Sequence, residues 1–351
     1  MNPLREWNRF WFGPISARPL GAFRVVLGVL ILANLALLSF ELDYWFVDTG
    51  LLRPAEARDV SGVLRPSILH HIHGATGVRA YFVATTAVAV LFTLGWRTRV
   101  MGVILYLLML SIQQRNVVSN CGVDTLILVM LFYAMLSPCG AAYSLDARRR
   151  QRRQGIWAEP LVIPWAQRLI QLQLSLIYLN TAILKCNGSS WLGGTALHYV
   201  INNTEVSRPH LRWLSDYPLA INGMTYLALA AEFAIPFLLW FKPTRKWTAL
   251  MGLGLHAVVL LTVNVPLFGE VMCACYLAFL DPDEVQSLVR MLNPREWFQR
   301  LSKASTGSGI MLPGRVDAPS GSPTPYLLDP LRDPSLRETS SLKDGVWTET
   351  R

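Results

Sequence analysis

The stretch PWAQRLIQLQLSLIYLNTAILKCNGSSWLGG, residues 164–194, decides the fold. It begins as an apolar run close to the roughly 20 residues that cross a bilayer as a helix. It closes on a lysine, followed by an Asn-Gly-Ser-Ser-Trp turn. The polar residues inside the run are ordered. Gln171, Tyr178 and Lys185 recur every seven residues, with Thr181 between the last two. At about 100° per residue they share one helix face. Such a stripe belongs toward a bundle interior or a hydrated cavity, not toward lipid. Two readings of Lys185 stand side by side. As an anchor, its stem lies along hydrocarbon and its head reaches the interface. As a site residue it is partly desolvated, which favours the neutral amine, a competent base.

The rest of the chain repeats this apolar pattern. Of 351 residues, 52% are hydrophobic and only 16% charged, against about 25% charged in soluble domains. The apolar residues fall in blocks of near-bilayer length, so the expected fold is all-α, a polytopic transmembrane helical bundle embedded in a lipid bilayer. The net charge is +9, but the basic residues lie between the apolar blocks. That placement sets membrane orientation and argues against a nucleic-acid partner. No secretory signal with a small-residue cleavage site is apparent. The block from Leu20 is long enough to remain as a span and to direct insertion.

About eight spans are expected: 20–40, 78–95, 98–114, 122–138, 164–185, 223–241, 247–264 and 266–281. Residues 1–19 contain REWNRFWFGPISARP, in which Trp7, Phe10, Trp11 and Phe12 interleave with Arg5 and Arg9. This reads as an interfacial N-terminal segment, with Ser16 placed to cap the first span. GWRTR, 95–99, is a tight turn between two spans. The membrane domain occupies about 13–285. Residues 286–301 belong to a second interfacial helix, and the Pro/Gly/Ser-rich residues 302–351 to a disordered tail. There is no fixed-period repeat.

Lys and Arg give the orientation. With the N-terminus cytoplasmic, the inner loops hold Arg97 and Arg99, the five arginines of DARRRQRRQ, and Lys242, Arg245 and Lys246. The outer loops 115–121 and 186–222 hold only Arg115, Arg208 and Arg212, although the first outer loop carries Arg53, Arg58 and Arg65 alongside the acidic Asp43, Asp48, Glu56 and Asp59. Both termini are therefore expected inside, and Lys185 near the outer face.

Ionisable residues at membrane depth are costly and mark function by default. They are Arg24, Asp124, Arg168, Lys185, Glu232, His256 and Glu270. Arg24 and Arg168 lie near span ends and are expected to reach the interface as anchors. Glu232 stands one turn before Pro236, which cannot donate to the Glu232 carbonyl; a kink there would open a polar pocket. His256 suits a helix-to-helix hydrogen bond or a site. His70, His71 and His73 in LHHIH offer imidazoles without an evident further ligand, so no metal site is expected. Cys273 and Cys275 are expected in the core. Cys121 and Cys186 both fall at outer loop edges, the one pair placed to bridge on an oxidising side. No GxSxG, P-loop or dinucleotide fingerprint occurs.

Five segments carry a resemblance: ISARPLGAFRVVLGVLILANLALL, NCGVDTLILVMLFYAMLSPCGAAYSLDA, IQLQLSLIYLNTAILKCNGSSWLGGTALHYV, LALAAEFAIPFLLW and LHAVVLLTVNVPLFGEVMCACYLAFL. In order, they resemble the HTTM (horizontally transferred transmembrane) family, related to the membrane module of vitamin K-dependent gamma-carboxylase. The resemblance implies a lyase-type enzyme using a quinol of the vitamin K type and acting on a protein or small-molecule substrate. In the matching lysine-tryptophan-glycine motif, the lysine is the base that deprotonates the quinol. It corresponds to Lys185, followed by Trp191 and Gly193 or Gly194. Together with the stripe and the membrane-depth residues read above, the candidate pocket comprises Gln171, Tyr178, Thr181, Trp191, Glu232, His256, Asn120 and Asp124. Where the carboxylases have an Asn-His pair, this chain has Asn120 followed by Cys121. It also lacks their large extra-membrane portion. A non-catalytic membrane scaffold and a small-molecule transporter with Glu232 and His256 on its path remain the alternative functions.

Overall fold

The computed structural model describes residues 2–292, apart from 54–55, 57–65, 117, 156–158 and 206, together with 342–343 and 346–347. The chain divides into two units, Met1–Trp297 and Phe298–Arg351. In the second, Leu342–Lys343 pairs antiparallel with Val346–Trp347. The tail expected to be disordered lies otherwise outside the described residues, as does 293–301 of the second interfacial segment.

The first unit is helical. An amphipathic helix α1, Pro3–Phe12, is capped by the Asn2 side chain and leaves Leu4, Trp7 and Phe12 exposed, as an interfacial segment requires. Ile15–Ser16 then pairs antiparallel with Leu161–Val162. The first long helix, α2, is Arg18–Phe40. Its N-cap is Ala17 rather than Ser16. Ser16 is held in the strand pair, and its hydroxyl accepts from the Arg18 N–H at 3.3 Å.

Helices stand at all eight positions expected for spans. After the short α3, Leu42–Phe46, come α4, Gly74–Leu94; α5, Thr98–Arg115; and α6, Gly122–Leu136. A basic surface helix α7, Leu145–Gln154, precedes α8, Trp165–Cys186. Two short helices follow, α9, Ser189–Leu192, and α10, Ala196–Asn202. The remaining membrane elements are α11, Pro218–Leu238; α12, Lys242–Thr262; and the short α13, Phe268–Cys275, extended by a 3-10 turn Tyr276–Phe279. Four helices, α2, α4, α8 and α11, are each long and apolar enough to cross a membrane. Each presents large apolar side chains outward, among them Val29, Val83, Leu176 and Leu227. A surface of this kind is solvated by lipid rather than water. The closing helix α14, Pro282–Met291, starts in a capping box between Asp281 and Glu284.

Neighbours in sequence pack as neighbours in space, from α4 on α2 through α12 on α11. The exception organises the core. Helix α13 and its 3-10 turn insert among α2, α6 and α8 with Val271, Met272, Cys275, Tyr276 and Phe279 buried. A helix end leaves carbonyls without partners. Here the Ala278 carbonyl accepts from two side chains one turn apart on α8, Gln167 at 2.7 Å and Gln171 at 2.6 Å. Cys275 is buried in this core as expected, whereas Cys273 is half-buried at its edge.

The GWRTR turn is a built corner. Gly95 at φ +74° ends α4, with the Trp96 N–H returning to the Leu91 carbonyl at 3.0 Å. Asp146 caps α5 from the neighbouring α7. Its carboxylate accepts from the Arg97 N–H at 2.9 Å and from the Thr98 N–H and hydroxyl at 2.8 Å. Burial pushes the Asp146 carboxyl up, but these bonds outweigh it and hold it below the ordinary carboxylate range. Arg24, expected at the interface, is instead fully buried against this corner and donates to the Tyr143 carbonyl at 2.6 Å. Its position on the inward face of α2 overrides the reach of its side chain. Arg168 is half-buried; it donates to the Phe10 carbonyl and to Gln171, with its guanidinium 4.4 Å from the Phe10 ring centroid. It ties α1 to the bundle rather than reaching freely outward.

Candidate functional site

The stripe on α8 faces α11, α12 and α13, and each of its members meets a different fate. Gln171 is spent on the Ala278 carbonyl. Thr181 turns back on its own helix, donating to the Ile177 carbonyl at 2.9 Å and the Tyr178 carbonyl at 3.0 Å. Tyr178 is buried, with its hydroxyl 2.6 Å from His256 Nε2 on α12 and 2.7 Å from the Tyr276 hydroxyl. His256 thus makes the interhelical hydrogen bond expected of it, while its Nδ1 has no partner among the described residues.

At the end of the stripe, Lys185 forms an ion pair with Glu232 on α11. The two side chains are 27% and 10% exposed, so the carboxylate is the more deeply placed partner. The Lys185 ammonium also lies 4.5 Å from the centroid of the Trp191 ring. This is a cation–π contact supplied by α9 across the Asn-Gly-Ser-Ser turn. Lysine is therefore neither a free interfacial anchor nor an amine walled only by apolar groups. An ammonium in contact with a carboxylate stays charged, and it acts as base only if its proton has somewhere to go. One oxygen of Glu232, Oε2, has no hydrogen-bond partner among the described residues.

Helix α11 runs through Pro236 and ends at Leu238, so the proline lies in the last turn and marks the helix end. The Leu239 N–H returns to the Ile235 carbonyl at 3.2 Å. Glu232 faces inward because α8 packs along α11 at this level.

His256 also borders a cleft of about 460 Å³ between α2, α12 and α13, with Glu270 and Cys273 also on its wall. Glu270 Oε2 is a further buried atom without a hydrogen-bond partner among the described residues. The sequence reading missed Tyr276, the third member of the hydroxyl chain. Its only signal was a tyrosine in an apolar run, whose hydroxyl must find a partner when buried.

Asn120 and Asp124 engage other groups. Asn120 donates to the Gln113 carbonyl at 2.7 Å. Asp124 accepts from Asn34 at 3.1 Å and from the Cys121 N–H and thiol, closing the N-terminus of α6. Burial and the Asp124 carboxylate together push the Cys121 thiol up, away from thiolate chemistry. Cys121 and Cys186 are both free, so the bridge between them is not formed. Of the loop histidines, His73 Nδ1 lies 3.3 Å from Asp48, and no group of three metal-ligating side chains occurs among the described residues.

Comparison with known proteins follows the same lines. Residues 12–283 match the HTTM domain, and the chain belongs to the HTTM domain family. It is 20% identical over 205 residues to the uncharacterized protein YitO of Bacillus subtilis (strain 168), covering 56% of this chain and 65% of the relative. It is 22% identical over 214 residues to the sporulation-delaying protein SdpB of the same organism, covering 58% of this chain and 64% of the relative. The match thus spans just under two thirds of each relative's length. No solved structure matches significantly. The chain is a helical integral membrane protein of this family.

Proposed function

We propose that the chain is a membrane-embedded, quinol-linked enzyme of the carboxylase-like kind, with the Lys185–Glu232 pair as its proton-accepting site. The observation that carries this reading is the ion pair itself, half sheltered beneath Trp191, with Glu232 Oε2 open to a further donor. Buried ion pairs are weak devices for stability, and ionisable residues at membrane depth mark function by default. A quinol in this region would supply an acidic hydroxyl and two reducing electrons. The partnerless buried atoms Glu232 Oε2 and His256 Nδ1, set among largely apolar side chains, suit a ligand with hydroxyl or carbonyl groups on an apolar body.

The chain's own part is proton handling. Transfer within the pair gives a neutral lysine beside a neutral glutamic acid. The lysine then accepts a proton from outside the pair. The net result is one proton gained, an ammonium at Lys185 and an uncharged carboxyl at Glu232. The ammonium is left to stabilise negative charge where the proton came from. Tyr178 and His256 fix the inner wall. The test is quinol-dependent oxygen uptake by the full chain in lipid nanodiscs, with vitamin K hydroquinone as probe. Glu232→Gln is expected to lower turnover by about a hundredfold or more, the usual scale for a lost acid–base group. Absence of quinol-dependent uptake by the unsubstituted protein would sink the reading.

We also propose that both termini face the cytoplasm, supported by the arginines of 97–99 and 148–153 between spans. A cysteine placed in the tail of a variant free of native cysteines should resist an impermeant maleimide applied to intact cells. Strong labelling from outside would reverse the orientation.

A further inference from the structure

Beside the GWRTR corner lies a cavity of about 400 Å³, bordered by Arg97, Arg99 and Arg150 with Asp146, Gly140 and Val100. It is remote in kind from the Lys185 site: three arginines and one aspartate border it. That carboxylate is already engaged. Asp146 accepts two backbone N–H groups and the Thr98 hydroxyl. None of the three arginines forms an ion pair among the described residues. Arg97 is held in the left-handed region at φ +44° and lies over the Trp96 ring, so the turn itself fixes where this side chain starts.

An exposed apolar face adjoins the cavity. Val100, Val103, Ile104 and Leu107 are all exposed. Their spacing of three, four and seven residues places them on one face of α5. The face begins at the cavity wall with Val100 and runs about 10 Å along the helix. A guanidinium cluster at the head of an outward apolar track matches one ligand chemistry. The cluster suits a phosphodiester, which arginine binds through paired N–H donors. The track suits an acyl chain.

We propose that this corner is a binding site for an anionic phospholipid, its phosphate seated among Arg97, Arg99 and Arg150 and one acyl chain lying on the Val100–Leu107 face of α5. The site rests on the membrane character of the chain and is independent of the reading of Lys185. It differs from general attraction between basic loops and an acidic leaflet. Arg149, Arg152 and Arg153 stand on the same helix α7 but do not border the cavity.

That difference supplies the test. The full chain, purified in detergent, is titrated with phosphatidylglycerol and with phosphatidylcholine of the same acyl chains, and bound lipid is counted by native mass spectrometry. Two triple variants remove the same charge: R97Q/R99Q/R150Q from the cavity and an outer set, R149Q/R152Q/R153Q, from the arginines of α7 that do not border the cavity. Phosphatidylglycerol is expected to bind the unsubstituted protein in preference to phosphatidylcholine. The cavity variant should lose at least about tenfold in that affinity and the outer variant little. Thermal melting checks that both remain folded; the single R150Q variant, expected to show a smaller loss of the same kind, serves if the triple does not fold. Equal losses in the two triple variants, or no loss in R150Q when it stands in for the triple, would overturn the site in favour of diffuse attraction. Competition by millimolar inorganic phosphate as strong as that by the lipid would also overturn it, by identifying a soluble ligand.

Discussion

Lys185→Ala should destabilise the protein by about 3 kcal/mol, and the pair of changes Lys185→Met with Glu232→Leu should recover most of that loss while leaving quinol-linked turnover absent. Removing one partner strands a charge that the other was neutralising, which costs about 3–5 kcal/mol at fully buried sites. The 27% exposure of Lys185 places this pair toward the lower end. Removing both partners leaves apolar side chains in a largely apolar setting, which is often neutral. Thermal melting in detergent reads the first effect and oxygen uptake the second. A double variant with full turnover would show that the pair serves packing alone. A single variant as stable as the parent would show that water already solvates Glu232.

Gly95→Ala should be comparably severe, on the order of 3 kcal/mol. Two costs add at this position. The backbone at φ +74° strains any residue with a Cβ. The new methyl would also overlap the Arg24 guanidinium and the Ser144 side chain. Arg24 has no room to retreat, being fully buried and bonded to the Tyr143 carbonyl. Gly155, at φ +64° with nothing near its missing Cβ, separates the two costs. Gly155→Ala should cost only about 1 kcal/mol, the strain alone. Melting curves for the two variants that coincide would remove the argument from close packing.

The helices were legible because bilayer-length apolar blocks have few alternative structures. The stripe on α8 was legible as a face, since periodicity survives into three dimensions. Its partners were not. Nothing in the spacing of Gln171 announces a carbonyl on a 3-10 turn more than a hundred residues later. Nothing local to Arg24 distinguishes a buried arginine from an interfacial one; the difference lies in which face of α2 meets α4 and the Tyr143 corner. Glu232 was recognised as costly, but proline near it was read as a bend within a span. The helix in fact stops two residues after that proline. Helix ends are set by the competition between continuing hydrogen bonds and the turn that follows, which periodicity does not record.

The chain Tyr276–Tyr178–His256 has a sense of direction. Each phenol carries one proton, and neutral imidazole carries one on either nitrogen. If Tyr276 donates to Tyr178, then Tyr178 donates to His256 Nε2, and Nδ1 carries a proton. If His256 donates through Nε2, Tyr178 donates to Tyr276, the Tyr276 proton turns out of the chain, and Nδ1 carries a lone pair instead. The two arrangements share every heavy-atom distance. A group that hydrogen-bonds Nδ1 therefore selects one of two polarities according to whether it accepts or donates. The choice is relayed to Tyr276 in the centre of the bundle by the rotation of two hydroxyls, with no helix displaced.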